Sequence, residues 1–326
     1  MSFDTKFFHI AEDEINQRKL RNERILEQNE REIAVKQPEI YKIHRELCLT
    51  SAKLISLILG DEPDFERKLC ELETENELLQ KRLAESLVRS GYPANFLEMP
   101  VTCKKCKDTG KADNRRCECF MEVVKRAAAE EMNATTPLKL SDFSDFDLAY
   151  YDDSKKVYAN CTEREIMNSN LEFCKKYARD FHLPCNGILM IGNTGLGKTH
   201  LSLSIAKEVL SKGYTVVYAS TPDLFRKCEQ EQFRKAGETT TDTVMEADLL
   251  ILDDVGAEVE SKFNNAFLYN VINNRINALK PTIVSTNSDL NDLKARYGDR
   301  VVSRLKTMDD LRFVGSDIRI RRVKNG

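Results

Sequence analysis

Residues 192–199 read Gly192-Asn193-Thr194-Gly195-Leu196-Gly197-Lys198-Thr199, and His200 follows them directly. The apolar run Gly187–Ile191 before this stretch predicts a buried strand, and the residues after it predict a helix. Glycines in a turn between a strand and a helix let backbone N–H groups surround phosphate oxygens, and the helix N-terminus adds partial positive charge. We therefore predict a P-loop in which residues 192–200 bind ATP.

Two side chains at the end of this loop have specific predicted roles. Lys198 is expected to reach the β- and γ-phosphates, and Thr199 is expected to coordinate Mg²⁺. The apolar segment Leu249–Leu252 leads into two acids, Asp253 and Asp254. A carboxylate at the end of such a strand can hold Mg²⁺ through water, so we assign Asp253 to the metal and Asp254 to the attacking water.

Polar residues further along the chain extend the predicted catalytic site. A third apolar segment, Ile283–Thr286, ends at Asn287, whose side-chain amide could hold the attacking water or the γ-phosphate. The basic C-terminal part contains Arg300, Arg304 and Arg319. An arginine donated across a subunit interface can stabilise the charge of a phosphoryl transition state, but spacing alone does not identify which of the three does so.

The alternation of short apolar strands with helices from about residue 160 onward defines the predicted fold class. Such alternation is typical of α/β proteins, in which a parallel sheet is covered by helices on both faces. We predict a P-loop parallel sheet of this kind, preceded by a helical N-terminal domain with a small cysteine knuckle. The predicted segments are 1–102 (helical), 103–132 (knuckle and helix), 133–160 (linker) and 161–326 (α/β domain).

The first hundred residues carry helix-forming residues and lack strand signals. We predict one helix over Ile10–Val35 and a second that begins at Pro38, with a break at Gly60–Pro63. The following residues repeat at a 4-3-4-3-4 spacing: Phe65, Leu69, Leu72, Asn76, Leu79 and Leu83. This spacing indicates a helix hairpin or short coiled coil with Asn76 fixing the register, and a single amphipathic helix packed on its own domain is the alternative.

Four of the ten cysteines lie close together in the sequence. They are Cys103, Cys106, Cys117 and Cys119, in the pattern C-x₂-C-x₁₀-C-x-C. Four thiolates within such a short segment predict a structural Zn²⁺ site, because zinc prefers tetrahedral sulfur ligands. The C-x-C pair is tighter than the usual spacing, so a redox-active pair or four ordinary thiols remain alternatives.

Charge and hydropathy narrow the possible environments. Residues 1–102 hold 15 basic and 20 acidic residues, whereas residues 294–326 hold 10 basic and 4 acidic ones. The basic end could contact phosphates, although a solvated surface would have the same composition. The longest apolar run, Leu54–Leu59, is too short to span a bilayer, and the acidic N-terminus does not look like a secretory signal. We therefore expect a cytoplasmic protein with no membrane partner.

Taken together, these motifs resemble those of the bacterial helicase-loader ATPases of the DnaC/DnaI family, within the AAA+ class. The resemblance covers about residues 100–326. The segments that carry it are Phe143–Tyr151, Gly192–His200, Leu252–Glu258, Ser285–Asn287 and Asp299–Leu305. By this resemblance Asn287 matches sensor I, Arg304 the arginine finger and Arg319 sensor II, with Arg300 in the same arginine-bearing box. The Asp253-Asp254 pair departs from the Asp-Glu of many AAA+ ATPases, which implies slow hydrolysis.

The resemblance also implies partners. These are a replicative DNA helicase, which the N-terminal helical region would dock, single-stranded DNA, and further copies of the chain through the AAA+ domain. The DNA would contact the region between the strand Thr215–Ala219 and the acidic strand. Its basic and aromatic residues are Phe225, Arg226, Lys227, Phe233, Arg234 and Lys235, although an amphipathic helix with buried phenylalanines would show the same pattern.

The leading hypothesis is a helicase loader that hydrolyses ATP to control its release. The nearest alternative is a transposase helper ATPase of the IstB type, against which the knuckle at Cys103–Cys119 argues because that family lacks it. Another alternative is a DNA-binding scaffold in which ATP acts as a switch with little hydrolysis. A small-molecule kinase is a weaker hypothesis, because the acidic pair, Asn287 and the distal arginines suit an AAA+ ATPase better.

Overall fold

The computed structural model describes residues 3–59, 64–134, 140–154, 156–158, 160–234 and 239–319. It divides into two compact units, one formed by Glu12–Phe120 and the other by Met1–Ala11 together with Met121–Gly326. The four segments predicted from the sequence stay a prediction, because compact units do not show which segments fold independently. No helix in the described ranges is long and apolar enough to cross a membrane.

The Glu12–Phe120 unit is built mainly from helices. Its elements are most of α1 (Thr5–Lys36), α2 (Pro38–Leu59), α3 (Phe65–Arg89), β1 (Lys111–Ala112), β2 (Arg115–Arg116) and the start of α4 (Glu118–Ala134). The predicted helix starting at Pro38 is confirmed. The predicted break at 60–63 lies outside the described residues.

Helices α2 and α3 pack against each other as the predicted hairpin. Leu79 and Leu83 are buried in it, whereas Phe65, at the start of α3, is exposed. The Asn76 side chain is half-buried and its Nδ2 donates to Oγ1 of the buried Thr50 at 3.3 Å. Asn76 therefore forms a polar contact between two helices, as expected for a register-fixing residue.

The second unit contains a five-stranded parallel sheet in the order β6-β7-β8-β5-β9. Its strands are β5 (Ile188–Ile191), β6 (Val216–Ser220), β7 (Leu249–Val255), β8 (Thr282–Thr286) and β9 (Asp309–Arg312), and a small ribbon precedes them, β3 (Lys156–Tyr158) and β4 (Cys161–Thr162). The helices are α5 (Glu163–Arg179), α6 (Lys198–Ser211), α7 (Thr221–Arg234), α8 (Thr239–Glu246), α9 (Lys262–Asn277), α10 (Leu290–Tyr297) and α11 (Asp299–Leu305).

Each face of the sheet packs into its own apolar core. Along β7, Leu250 and Leu252 belong to one core and Leu249 and Ile251 to the other, because successive side chains of a strand point to opposite faces. A strand buried on both faces is continuously apolar, and for this reason the sequence predicts β7 from the apolar run Leu249–Leu252. The predicted α/β fold class, with a parallel sheet flanked by helices and a helical N-terminal region, is confirmed.

Strand β9 is the strand of the five-stranded sheet that the sequence pattern does not predict. It pairs with β5 at the edge of the sheet, and only Leu311 of its four residues is buried. An edge strand needs few apolar residues, so Asp309–Arg312 shows neither an apolar run nor alternation. Phe313, directly after it, donates its backbone N–H to the Ile191 carbonyl at 2.7 Å. This strand therefore brings the C-terminal segment beside the predicted P-loop.

A buried arginine fixes the start of β7, at the end opposite the acidic pair. Arg275 is 1% exposed and donates to the carbonyl oxygens of Val244, Ala247 and Pro281 at 2.8, 2.9 and 2.7 Å. Burial lowers the pKa of Arg275 to about 9. The guanidinium provides donors for carbonyls at the end of α8 and a second donor for the Pro281 carbonyl, which also accepts from the Leu250 N–H at 3.3 Å.

Candidate functional site

The predicted P-loop lies between β5 and α6, as the sequence indicates. Gly195 and Gly197 have φ angles of 76° and 90°, in the left-handed region that favours glycine. A Cβ on Gly197 would lie 2.6 Å from Cε2 of Phe146, and one on Gly192 would lie 2.4 Å from the Phe313 carbonyl oxygen. The loop glycines are therefore required by both backbone conformation and close packing.

An open cleft lies beside this loop and contains most of the predicted site residues. It is lined by Asp145, Phe146, Asp147, Tyr150, Tyr151, Thr194, Gly195, Leu196, Gly197, Lys198, Thr199, His200, Asp254, Asn287, Ile318 and Arg319. Asp254, Asn287 and Arg319 are distant from the loop in sequence and adjacent to it in space. Their convergence follows from the parallel sheet, because the carboxyl ends of β5, β7 and β8 meet at one edge.

The ammonium of Lys198 is held by two carbonyl oxygens of the loop and by the side chain of Asn287. Nζ donates to the carbonyl of Asn193 at 2.8 Å, to the carbonyl of Gly192, and to Oδ1 of Asn287 at 2.7 Å. Burial lowers the pKa of Lys198, partly offset by the negative charges of Asp254 and Asp253. All three acceptors are neutral, so phosphate oxygens can replace them with a gain in charge attraction.

Asp253 is buried and accepts hydrogen bonds from three hydroxyl groups. Its Oδ2 accepts from Oγ1 of Thr199 at 2.9 Å and from the Tyr218 hydroxyl at 2.6 Å, and its Oδ1 accepts from the Ser285 hydroxyl. These donors are neutral, so they orient the carboxylate without cancelling its charge. A carboxylate beside a threonine hydroxyl fits Mg²⁺, which binds oxygen ligands and retains several waters.

Asp254 faces the cleft and differs from Asp253 in its surroundings. Its backbone N–H donates to Oγ of Ser285 at 3.0 Å, and Nδ2 of Asn287 donates to its Oδ1 at 3.3 Å. Burial raises the pKa of Asp254, and the adjacent negative charge of Asp253 adds to this increase. Its φ is 56°, a left-handed conformation that aspartate and asparagine tolerate better than most residues.

The three predicted arginines are placed differently. Arg319 lines the cleft, whereas Arg304 and Arg300 lie on α11 and are not among the cleft residues. Nε of Arg304 donates to Oδ1 of Asn273 at 3.0 Å. An arginine finger acts on the nucleotide of a neighbouring subunit, so a position outside its own cleft agrees with that role without testing it. The assigned roles of Arg304, Arg319, Asp254 and Asn287 stay predictions.

The aromatic residues before the ATPase core also form part of the cleft, which the sequence analysis did not predict. The Tyr151 hydroxyl donates to the Leu196 carbonyl at 2.9 Å, and its ring stacks on Phe146 with centroids 5.7 Å apart. Nε2 of His200 lies 2.9 Å from the Asp142 carbonyl oxygen, so His200 tethers this aromatic segment to the loop. The density of aromatic residues in Phe143–Tyr151 was the available signal.

Tyr218 and Ser285 were missed for a different reason. Each is a polar residue inside a mainly apolar strand, and although Ser285 belongs to the segment Ser285–Asn287, only Asn287 is given a role there by the sequence. Both reach Asp253 only because β6 and β8 flank β7 in the sheet. An isolated hydroxyl in a buried strand that neighbours an acidic strand was the signal that could have identified them.

The four predicted cysteines converge in the Glu12–Phe120 unit. Their sulfur atoms all lie within 4.8 Å of one another, with Cys103–Cys117 at 3.8 Å and Cys106–Cys119 at 3.5 Å. Four sulfurs placed tetrahedrally at about 2.3 Å from one ion would be about 3.8 Å apart, so the cluster fits such an ion. A hydrogen bond from the Cys106 backbone lowers the pKa of Cys103 to about 7.

A buried aspartate holds this cysteine knuckle in shape. The Asp108 carboxylate accepts from the backbone N–H groups of Thr102 at 2.7 Å and Cys103 at 2.9 Å. It also accepts from Nδ2 of Asn22 at 2.8 Å. The segment from Thr102 to Asp108, which contains the first two cysteines, is therefore fixed by side-chain contacts as well as by its thiols.

The segment predicted to contact DNA is only partly exposed. Phe225 is buried and packs edge-to-face on Phe267 at 5.4 Å, so for this residue the alternative of a buried phenylalanine in an amphipathic helix is the one that holds. Phe233, at the end of the same helix, is 81% exposed. Arg226 is exposed and forms an ion pair with Asp223 at 2.9 Å. The Arg234 side chain and Lys235 lie outside the described residues.

Comparisons with known proteins agree with this geometry. Residues 175–312 match the family of IstB-like ATP binding proteins. The replicative helicase loader DnaC of Escherichia coli K12 is 25% identical over 166 residues, which are 48% of this chain and 67% of that protein. DnaC of Buchnera aphidicola subsp. Baizongia pistaciae is 24% identical over 167 residues, covering 48% and 68%.

Among solved structures, the DnaC helicase loader is 27% identical with a TM-score of 0.45, and the alignment covers 53% of this chain and 98% of that one. DnaI is 21% identical with a TM-score of 0.43, covering 54% and 89%. The predicted resemblance to the DnaC/DnaI loaders is confirmed by the matches to curated DnaC proteins. The second unit holds an ATP-binding domain of the P-loop ATPase type.

Proposed function

We propose that this chain is an ATP-dependent helicase loader of DNA replication. It binds the replicative helicase and single-stranded DNA, and ATP hydrolysis controls its release. The similarity to replicative helicase loaders carries this proposal. The intact arrangement of loop, acidic pair and Asn287 supports the ATP-dependent part of it. Such a protein would act in the cytoplasm and would associate with further copies of itself through the ATPase domain.

The proposed ATPase step uses groups that already converge in the cleft. Lys198 leaves the carbonyls of the loop and binds the β- and γ-phosphates. Thr199 and Asp253 would hold Mg²⁺, and the chemistry that the metal would supply there is neutralisation of part of the phosphate charge. Asp254 orients the attacking water, and Asn287, within hydrogen-bond reach of Asp254, keeps that carboxylate in place.

Charge that develops in the transition state would be stabilised by two arginines. Arg319 lines the cleft of its own subunit, as a sensor II residue must. Arg304 would come from the neighbouring subunit as the arginine finger, an effect of about 10³–10⁵ in rate in comparable enzymes. A complete active site therefore requires two copies of the chain, which couples hydrolysis to assembly.

Hydrolysis in this site would be slow. Asp254 carries a carboxylate one methylene shorter than the glutamate of many AAA+ ATPases, so it reaches the water less well. Burial also raises the pKa of Asp254, which favours its neutral form. Slow turnover suits a protein in which bound ATP sets a conformation rather than fuelling rapid cycles.

The helical hairpin is the proposed docking element for the helicase. Three large apolar side chains are 56–59% exposed: Leu49 on α2, and Leu78 and Val88 on α3. Large apolar side chains exposed on helices are typical of surfaces that bind another helix. The cysteine knuckle in the same unit would carry a structural Zn²⁺, since four thiolates leave no open coordination position.

Single-stranded DNA would bind near the end of α7. Phe233 is the aromatic side chain exposed there, and bases stack on such rings without sequence preference. Arg226 and Lys227 lie on the same helix and add positive charge to that region. Phe225 takes no part in this surface because it is buried.

A transposase helper ATPase remains the second candidate. The match to IstB-like ATP binding proteins over residues 175–312 favours it, because that family shares the same ATPase core. The cysteine cluster and the helical hairpin lie outside those matched residues and favour the loader. A DNA-binding scaffold with little hydrolysis would share the cleft, but its turnover would stay low whether or not DNA is added.

One experiment separates these functions. The full chain is mixed with the host replicative helicase, and co-elution and phosphate release are measured with and without single-stranded DNA. A loader forms a complex and changes its turnover when single strands are added. Lys198→Ala is the matched control, since it should lose nucleotide binding but keep the hairpin. No complex with helicase, together with turnover indifferent to DNA, would falsify the loader function.

A further inference from the structure

We propose that Tyr218 is a positioning residue for metal binding, which holds the Asp253 carboxylate in the orientation that accepts a water of Mg²⁺. This inference rests on the proposed ATPase function. It concerns a residue with no assigned role in the site. Tyr218 lies on β6, is buried, and donates its hydroxyl to Oδ2 of Asp253 at 2.6 Å.

The sheet register explains why a tyrosine at this position reaches the carboxylate. In the pairing of β6 with β7, Ser220 lies opposite Asp253 and Tyr218 lies opposite Ile251. Tyr218 is two residues before Ser220, so its side chain points to the same face as that of Asp253. The tyrosine side chain is long enough for its hydroxyl to reach forward by two residues along the sheet. A serine or threonine at the same position could not cover this distance.

A phenol has two properties that suit this task. Its ring is buried in the apolar core on that face and so holds the hydroxyl in a fixed direction. The hydroxyl is an uncharged donor, because a phenol has an ordinary pKa of about 10. A lysine or arginine would also orient the carboxylate, but its charge would compete with the metal. Tyr218 therefore fixes direction and leaves the full negative charge for Mg²⁺.

The backbone of Tyr218 is fixed from outside the sheet. β6 is an edge strand, and the Asn133 side chain at the end of α4 pairs with it as another strand would. Oδ1 of Asn133 accepts from the Tyr218 N–H at 3.0 Å, and Nδ2 donates to the Val216 carbonyl at 2.8 Å. Asn133 thus holds the strand from which the Tyr218 hydroxyl reaches Asp253.

The test compares nucleotide affinity with and without metal in the full chain. A non-hydrolysable ATP analogue is titrated into Tyr218→Phe in Mg²⁺ and in EDTA, and Mn²⁺ bound with the analogue is measured by electron paramagnetic resonance. We expect the metal-linked gain in affinity to fall by about 10–100-fold, as for other residues that orient metal ligands. The affinity in EDTA should stay unchanged, because Tyr218 does not line the cleft.

Tyr177→Phe is the matched control. Tyr177 is partly buried against the same apolar core, but its hydroxyl donates to the Asn186 carbonyl at 2.7 Å, so its loss should leave both affinities unchanged. Asn133→Ala provides a second variant that keeps the phenol, and it should reduce the metal-linked gain by a smaller factor. If Tyr218→Phe destabilises the fold, this second variant decides the question.

The inference is overturned if Mg²⁺ raises the nucleotide affinity of Tyr218→Phe as much as that of the unmodified chain. Where Asn133→Ala decides, the same result in that variant overturns it. An equal loss of affinity in EDTA also overturns it, because it would indicate a general disturbance of the loop. Failure of the proposed function gives a different result. In that case the unmodified chain itself would show no nucleotide binding or no dependence on metal.

Discussion

The ammonium of Lys198 donates a 2.7 Å hydrogen bond to Oδ1 of Asn287. The other side of the same amide, Nδ2, donates to Oδ1 of Asp254 at 3.3 Å. One side chain therefore links the predicted phosphate-binding cation to the predicted water-orienting acid. A γ-phosphate that binds Lys198 competes directly with Asn287, so nucleotide binding changes the contacts of the residue that positions Asp254.

Replacing Asn287 should separate binding from hydrolysis. In Asn287→Ala, Lys198 loses a competing acceptor and stays available to phosphates, while Asp254 loses its side-chain donor. We expect ATP affinity within about threefold of the unmodified chain and hydrolysis slower by about 10²-fold. Fluorescent nucleotide titration and phosphate release measure the two quantities. The exposed Asn291→Ala is the control, and a parallel loss of affinity would show that Asn287 serves the fold of the loop instead.

Asp254→Asn should stabilise the protein while abolishing hydrolysis. Burial and the charge of Asp253 raise the pKa of Asp254, so the ionised carboxylate is less favourable in the folded than in the unfolded chain. Asparagine removes this charge and tolerates the left-handed backbone at φ 56°. We expect the melting temperature of the metal-free protein to rise by about 2 °C or more at pH 7.

The pH dependence of that gain tests its cause. Below the ordinary aspartate pKa of about 3.9 both the folded and unfolded chains carry a protonated Asp254, so the destabilising charge is absent. It reaches its full size only above the raised pKa of the folded protein. The advantage of Asp254→Asn should therefore shrink as the pH falls through that range. A gain that stays constant with pH would assign the effect to backbone conformation alone.

Much of the fold follows from local sequence. The segments 188–191 and 249–252 are buried on both faces, so they appear as continuous apolar runs, and the helix from Pro38 begins at a residue suited to a first turn. The P-loop was equally readable because all of its parts lie within one short stretch. Local signals of this type are independent of what packs against them.

Contacts between distant segments could not be predicted in the same way. The Ile318 N–H donates to the Gly195 carbonyl at 3.1 Å, a contact that depends on the edge strand Asp309–Arg312, which has no apolar pattern. The burial of Phe225 and the exposure of Phe233 depend on how α7 is rotated against α9. Sequence spacing indicated an aromatic helix but not which of its rings faces solvent.

Arg304→Ala should abolish hydrolysis and leave ATP affinity nearly unchanged. Arg304 lies outside the cleft of its own subunit, so its loss removes no contact with bound nucleotide there. We expect hydrolysis to fall by about 10³-fold or more. A mixture of Arg304→Ala with Lys198→Ala should regain activity, because one subunit supplies the intact loop and the other supplies the arginine.

Arg300→Ala is the matched control, since Arg300 lies on the same helix. Activity lost in Arg300→Ala and retained in Arg304→Ala would transfer the finger role to Arg300. Loss of both affinity and hydrolysis in Arg304→Ala, without recovery in the mixture, would assign Arg304 to the fold through its contact with Asn273.

The cysteine knuckle should bind zinc in the purified protein. Cys106 is buried within the cluster, so Cys106→Ser removes one ligand of four and should lower the bound zinc by about tenfold or more. Elemental analysis measures the metal. The Glu12–Phe120 unit should also unfold at a lower temperature in Cys106→Ser than in the unmodified chain. Cys70→Ser, at an exposed position on α3, is the control and should retain its metal. Equal zinc content in the two variants would contradict a four-thiolate site.

Phe233→Ala should weaken binding of single-stranded DNA without affecting stability. The ring is 81% exposed, so its removal takes little from the core, whereas one stacked base contributes about 1–3 kcal/mol. We therefore expect an affinity lower by about 5- to 150-fold, measured by fluorescence anisotropy of a labelled oligonucleotide. Because stacking involves no ion pairs, the salt dependence of binding should keep its slope.

Val259→Ala, at a position 83% exposed, removes a comparably exposed apolar side chain from another region and should leave DNA affinity unchanged. Unaltered DNA binding by Phe233→Ala would move the DNA-binding surface away from the end of α7.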